Sequence, residues 1–122
     1  MIMDNILLIN ACVRPGSRTL ELAKTLLTRL DGQVQEVRLQ ELSLPVLDLQ
    51  NMEKRDRAAK ENEFSDPIFD AAKQFAAADV IVIAAPYWDL MFPAALKAYL
   101  ENIIVAGVTF FYGAQGRLYR TE

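Results

Sequence analysis

Apolar positions along the chain fall into runs of two kinds. Asn5 to Asn10 (NILLIN) and Asp79 to Ala85 (DVIVIAA) are short, rich in Ile, Val and Leu, and show no polar alternation. Runs of that length and composition predict parallel strands covered on both faces rather than helices. Gln33 to Leu39 (QVQEVRL) is more polar and predicts a strand at the sheet edge. Between the strands the period becomes helical. Leu20, Ala23, Leu27 and Leu30 make one stripe, widened by Leu22 and Leu26, so Ser17 to Leu30 predicts a helix ended by Asp31-Gly32. A second helix is expected to begin near Ser65 or Asp66, with Pro67 in its first turn and Ile68, Ala72, Phe75 and Ala76 as its stripe. A third is expected over Pro93 to Ala106, turning Leu96, Tyr99, Leu100, Ile103 and Ile104 inward, with Gly107 as its C-cap. The order β-α-β-loop-α-β-α is that of a doubly wound α/β sheet.

The Gln40 to Glu63 connection is long for such a fold. It opens with LSLPVLDL and continues as a charged run, MEKRDRAAKENE. It predicts a solvated loop with one short surface helix, the alternative being a flap over a ligand. Asp48 and Glu53 within it are given no acid–base role.

Composition narrows the function. The 122 residues carry 13 Lys plus Arg against 16 Asp plus Glu, a formal charge of −3 with no long basic run. That balance argues against a nucleic-acid partner and against a polybasic membrane anchor. With no His, a His triad, a His metal cage and an imidazole relay are excluded. A lone Cys12 forms no intramolecular disulfide. The apolar runs are too short to span a bilayer, and Met1 to Asn10 lacks the basic start and small-residue cleavage site of a signal peptide. A soluble, cytoplasmic chain with one hydrophobic core is expected.

Two loops could carry chemistry. The first, Asn10-Ala-Cys-Val-Arg-Pro-Gly-Ser-Arg-Thr19, runs from the end of a strand into a helix N-terminus. α/β proteins hold phosphate at such a place, where free N–H groups point outward. Ser17 and Thr19 add hydroxyls, and Arg14 and Arg18 add charge. No Gly-x-Gly-x-x-Gly and no Gly-Lys-Ser/Thr is present, which disfavours a dinucleotide fingerprint and a P-loop. The plainer reading is an N-cap serine with solvated arginines. The second loop, Ala84-Ala-Pro-Tyr-Trp-Asp-Leu90, borders the same crevice in a doubly wound sheet. Tyr87 and Trp88 would wall a planar ligand there, or else cover the sheet end or an oligomer interface.

Taken together, the two segments resemble the flavodoxin-like NAD(P)H:quinone oxidoreductases and FMN-dependent azoreductases. Cys-x-Arg-x-x-Ser-x-Thr is similar to that family's Ser-x-Arg-x-x-Ser-x-Ser/Thr loop. APYWDLMFPAALKAYLENIIVAGVTFFYG is similar to its second signature, an Ala-Pro-aromatic run leading to Pro-x-x-Leu-Lys and Gly-x-Thr-Phe-x-Tyr. The likeness covers nearly the whole chain. It implies a flavodoxin-like three-layer sandwich whose parallel sheet has strand order 2-1-3, with residues 1–122 as one domain incomplete at its C-terminus. The family's fourth and fifth strands are absent from this sequence. It further implies that Cys12, Arg14, Ser17, Arg18 and Thr19 hold the FMN phosphate, and that Pro86, Tyr87, Trp88, Asp89 and Leu90 lie along the isoalloxazine ring. Cys12 stands where the family has Ser, and its thiol is a weaker donor to phosphate than a hydroxyl. Asp89 stands where it has Asn, which puts a carboxylate beside the flavin.

The activity the resemblance implies is FMN-dependent transfer of hydride from NAD(P)H to quinones or azo-type aromatic acceptors. The flavin carries the chemistry, so no catalytic acid, base or nucleophile and no metal is expected. The competing expectation is a non-catalytic or weakly flavin-binding flavodoxin-like fragment that persists by self-association. A receiver-like signalling domain is a more distant one, since Asn10 and Ala11 stand where its acidic pair belongs. Strand three, left at an edge and nearly free of charge, predicts a homodimer or larger assembly with Val108 to Tyr112 near the contact. The alternative is that this tail folds back along strand three.

Overall fold

The computed structural model describes residues 4–112 and 118–120. β1 (Asp4–Asn10) runs parallel to β2 (Gly32–Arg38) on one side and to β3 (Val80–Ala84) on the other. The order β2-β1-β3 is the expected one. Leu8 lies opposite both Glu36 and Val82, and Asn10 opposite Arg38 and Ala84. With a strand on each side, β1 is the core, and Ile6, Leu7, Leu8 and Ile9 are at most 2% exposed.

The backbone gathers into two compact units, Met1–Ser43 with Ala77–Lys97 and Leu44–Ala76 with Ala98–Glu122. In the first, α1 (Arg18–Leu27) sets Ala23 against Leu8, Cys12 and Ala84, with Leu20, Leu27 and Val82 around them. Its N-cap is Ser17, whose Oγ accepts from the Leu20 N–H at 3.2 Å. Leu22 and Leu26 do not widen the apolar stripe, for both are exposed. At about 100° per residue, Leu22 sits about 120° round the helix from the stripe and meets solvent. The helix stops at Leu27, before Asp31-Gly32.

In the second unit, the charged connection folds into α2 (Leu49–Glu61), a helix of 13 residues rather than a short piece in a loop. Asp48 is its N-cap, accepting from the Asn51 N–H at 2.9 Å, and Asn62 closes it in a left-handed conformation at φ 51°. Periodicity concealed this helix because only Ala58 along it is buried. Next comes a 3-10 turn at Pro67–Phe69, whose N-cap Asp66 accepts from the Ile68 N–H, and then α3 (Asp70–Ala76). Phe69, absent from the expected stripe, is buried at 2% exposure with Ala58, Ala72 and Val105, whereas Ala76 is exposed.

α4 (Ala94–Ile103) straddles the division between the units and buries Leu96, Tyr99 and Ile103. Tyr99 Oη is buried with no hydrogen-bond partner among the described residues, and burial pushes its phenol up to about 12. Ile104, one residue past the end of the helix, is exposed rather than turned inward. The Thr109 hydroxyl closes that end, donating to the Ile103 carbonyl at 2.7 Å and accepting from the Val105 N–H at 2.9 Å. Arg55 also donates to the carbonyls of Glu101 and Ile104, with its guanidinium pKa lowered by burial. Gly107 is therefore not the C-cap. It turns the following chain at φ 90°, its N–H donating to the Phe110 carbonyl, where a Cβ would come within 2.7 Å of the Phe64 ring. The tail pairs with itself: β4 (Phe110–Tyr112) lies antiparallel to β5 (Leu118–Arg120) in a sheet of its own, not along β3. Among the described residues no helix is long and apolar enough to cross a membrane.

Candidate functional site

The carboxyl ends of β1 and β3 each release a loop. In a parallel sheet both loops emerge on the same edge, where α/β proteins place ligands. Here the two edges are tied to each other. The Ala11 N–H donates to the Ala84 carbonyl at 2.8 Å, and the Cys12 thiol reaches the same oxygen at 3.6 Å. Between the loops lies a cleft of about 540 Å³ lined by residues 12–18 of the first loop and by Pro86 and Trp88 of the second. A more open groove of about 490 Å³ shares Gly16 and Ser17 and runs along the outer face of α1.

The cleft brings together Cys12, Arg14, Ser17, Arg18, Pro86 and Trp88, and leaves Thr19, Tyr87, Asp89 and Leu90 off its lining. Cys12 is 7% exposed, and its thiol is committed to the Ala84 carbonyl, so it offers the cleft no free S–H. Arg14 and Arg18 are exposed, and among the described residues no acidic side chain lines the cleft with them. The first turn of α1 leaves N–H groups without intrahelical partners, and the helix dipole adds positive potential there. The polar wall therefore combines two guanidinium groups, a hydroxyl and a helix N-terminus, a donor set suited to a phosphate. Facing it, Pro86 and the indole of Trp88 form an apolar wall suited to a flat ring.

The second loop is shaped by a tight turn. The Trp88 and Met91 N–H groups each donate to the other's carbonyl at 2.7 Å. The two residues between them, Asp89 and Leu90, have φ of 49° and 64°. Reciprocal bonding with positive φ at both central positions is the type I′ hairpin turn. It holds Asp89 and Leu90 at the tip, with Leu90 80% exposed, and packs Tyr87 edge-on to Phe92 at 6.4 Å between ring centroids.

Four residues outside the expected set support the first loop. Asn10, buried at the end of β1, accepts from the Cys12 N–H at 2.9 Å and donates to Glu36 at 3.4 Å. Arg38 Nε donates to the same Glu36 carboxylate at 2.6 Å and holds it below the usual carboxylate range, with the Asn10 bond adding to the effect. Gln40, in the 3-10 turn after β2 (Leu39–Glu41), donates to the Cys12 carbonyl at 2.7 Å. The available signal for Asn10 was a polar residue ending an apolar strand. For Gln40 it was only position, just past the end of a strand that flanks β1.

The profile of the family described as flavodoxin-like fold matches residues 4–122. A protein named FMN-dependent NADH:quinone oxidoreductase from Clostridium perfringens is 48% identical over 62 residues, which is 51% of this chain and 29% of that one. A second protein of that name from Clostridium acetobutylicum is 60% identical over 45 residues, 37% of this chain and 22% of that one. The crystal structure of an azoreductase from Bacillus anthracis superposes with a TM-score of 0.79 at 26% identity, covering 93% of this chain and 62% of that one. The matched stretches thus span less than a third of these curated relatives and under two-thirds of the azoreductase. With the strand order, the loop geometry and the profile in agreement, the chain belongs to the flavodoxin-like fold family.

Proposed function

We propose that this chain binds FMN and serves an NAD(P)H oxidoreductase that reduces quinones or azo-type aromatic acceptors. One observation carries the reading: a single cleft has a cationic, N–H-rich wall at Arg14, Ser17 and Arg18 and an apolar wall at Pro86 and Trp88. A phosphate joined to a flat ring asks for that pair of surfaces. The names of the Clostridium relatives and of the Bacillus azoreductase support the choice of flavin and of acceptor.

Bound FMN would supply the hydride-transfer chemistry between NAD(P)H and the acceptor. The residues of this chain bind and orient. Arg14 and Arg18 supply charge to the phosphate, the Ser17 hydroxyl and the first N–H groups of α1 supply directed donors, and Thr19 contributes from that first turn. Cys12 anchors the start of the loop, since its thiol, its N–H and its carbonyl are already bonded to Ala84, Asn10 and Gln40. Pro86 and Trp88 flank the ring, while Asp89 and Leu90 act through the turn that sets the Trp88 backbone. Tyr87, 67% exposed, is free to shape the space where a nicotinamide or a small aromatic acceptor docks.

Self-association is a second proposal, favoured by the exposed Ile83, Leu90, Met91 and Phe92. Apolar side chains gathered on one strand and its loop mark an interaction surface. A homodimer would cover them.

The purified protein is expected to show flavin absorption bands, or to acquire them on adding FMN. Ser17→Ala should cost FMN binding about 1.5–3 kcal/mol, the value of a hydrogen bond to a charged group, and leave riboflavin nearly unchanged. Equal losses for both ligands would overturn the phosphate assignment. Sedimentation at micromolar concentration reads the assembly, and a clean 13.7 kDa species would reject it.

A further inference from the structure

The first loop leaves the sheet as a strand and must re-enter a helix at Ser17, so some contact has to fix the direction of the turn. Both polar groups of the Cys12 peptide backbone are taken. Its N–H goes to Asn10 Oδ1 at 2.9 Å, a local turn across two residues, and its carbonyl accepts from Gln40 Nε2 at 2.7 Å, across 28 residues of sequence. The local bond fixes the start of the loop relative to β1. The long-range bond fixes the direction of the next peptide plane, and Val13 and Arg14, which follow, line the cleft.

We infer that Gln40 is a positioning residue for the anion wall. By holding the Cys12 carbonyl away from the cleft, it keeps an acceptor oxygen from facing a phosphate and leaves residues 13–18 to present donors. The inference rests on the FMN reading of the cleft. Gln40 has no part in the hydrophobic core and is itself exposed, so its replacement removes no core packing. Its neighbour Glu41, which faces Arg38 at 3.5 Å and lies outside the cleft lining, is the matched control.

The test compares wild type, Gln40→Met and Glu41→Gln. FMN and riboflavin affinities are read by flavin fluorescence, and the carbonyl-carbon shift of Cys12 is read by NMR in the flavin-free protein. Gln40→Met keeps the length of the side chain and loses the donor. It should weaken FMN about three- to tenfold, the range of one lost hydrogen bond, change riboflavin less than about twofold, and move the Cys12 carbonyl-carbon resonance upfield as its donor is lost. Glu41→Gln should do none of these. Unchanged FMN affinity in Gln40→Met, or an equal loss for both flavins, overturns the inference. If the wild type binds neither flavin, the reading of the cleft has failed on its own, and the Cys12 carbonyl-carbon shift still judges the clamp: an unchanged resonance in Gln40→Met rejects it.

Discussion

β1 and β3 begin from nearly the same sequence signature and end in different surroundings. Both are short runs of Ile, Leu and Val. β1 has a strand on each side, and Ile9 is 0% exposed; β3 is the outer strand of its sheet, and Ile83 is 46% exposed. Their loops diverge in the same way. The loop after β1 is gripped by polar bonds to Asn10, Gln40 and Ala84 and ends in a serine cap. The loop after β3 is closed by a two-residue turn carrying left-handed Asp89 and Leu90, and it displays Tyr87, Leu90, Met91 and Phe92 to solvent. The lesson is one of division of labour. Recognition of an anion needs dipoles at fixed directions, because hydrogen bonds weaken steeply with angle. Contact with a flat ring is non-directional and tolerates a softer wall.

The largest effect expected from this contrast is in the strands. Ile9→Ala should cost about 2–5 kcal/mol, because a fully buried side chain leaves a cavity. Ile83→Ala should cost under about 1 kcal/mol, since much of its side chain already meets water. Urea unfolding of both variants measures the difference. Similar losses would break the comparison and would mean that β3 is covered in solution, as a dimer would cover it.

A smaller effect should appear in the two turns, with opposite signs. Leu90→Gly should stabilise by up to about 1 kcal/mol, because a left-handed L-residue costs roughly 1–2 kcal/mol and glycine returns part of that gain as chain entropy. Gly16→Ala in the first loop should destabilise by about 1 kcal/mol: Gly16 sits at φ 70° with open space around it, so backbone strain alone is at issue. Thermal melts of the two variants should move apart. If both fall, the tip of the second loop depends on the leucine side chain, and the two loops are more alike than their contacts suggest.

Smallest of all should be Asp89→Asn. The side chain is exposed at the turn tip, and asparagine is at home at positive φ, so stability should change by less than about 0.5 kcal/mol. In the flavin-loaded protein, loss of a nearby negative charge favours the anionic reduced flavin. The midpoint potential should therefore rise slightly, by an amount that solvent screening keeps small. Potentiometric titration at low and high salt checks both sign and screening. A large shift that salt does not touch would show the carboxylate turned in against the ring.

Much of this site could be read along the chain. Strand positions and both loops were visible because buried parallel strands have a strong local signature and because the ends of such strands are where sites assemble. Ser17 was legible as an N-cap for the same local reason. α2 was underestimated because a helix with one buried residue has almost no apolar period to detect. Phe69 escaped the stripe because it belongs to a 3-10 turn, whose period differs from that of the helix that follows.

By itself, then, the sequence determined the identity of the three parallel strands, the polar character of one loop and the aromatic character of the other, since each is written in residues adjacent along the chain. Tertiary structure alone decided which of two similar strands is wrapped and which is open. It also turned the Cys12 thiol toward Ala84, put Asp89 and Leu90 at positive φ, and brought Gln40 to the Cys12 carbonyl. The physical reason is common to all of these. Burial and hydrogen-bond partners depend on sheet order and register, which join residues as far apart as 12 and 84, and no local pattern of hydrophobic and polar positions records which partner a strand end will meet.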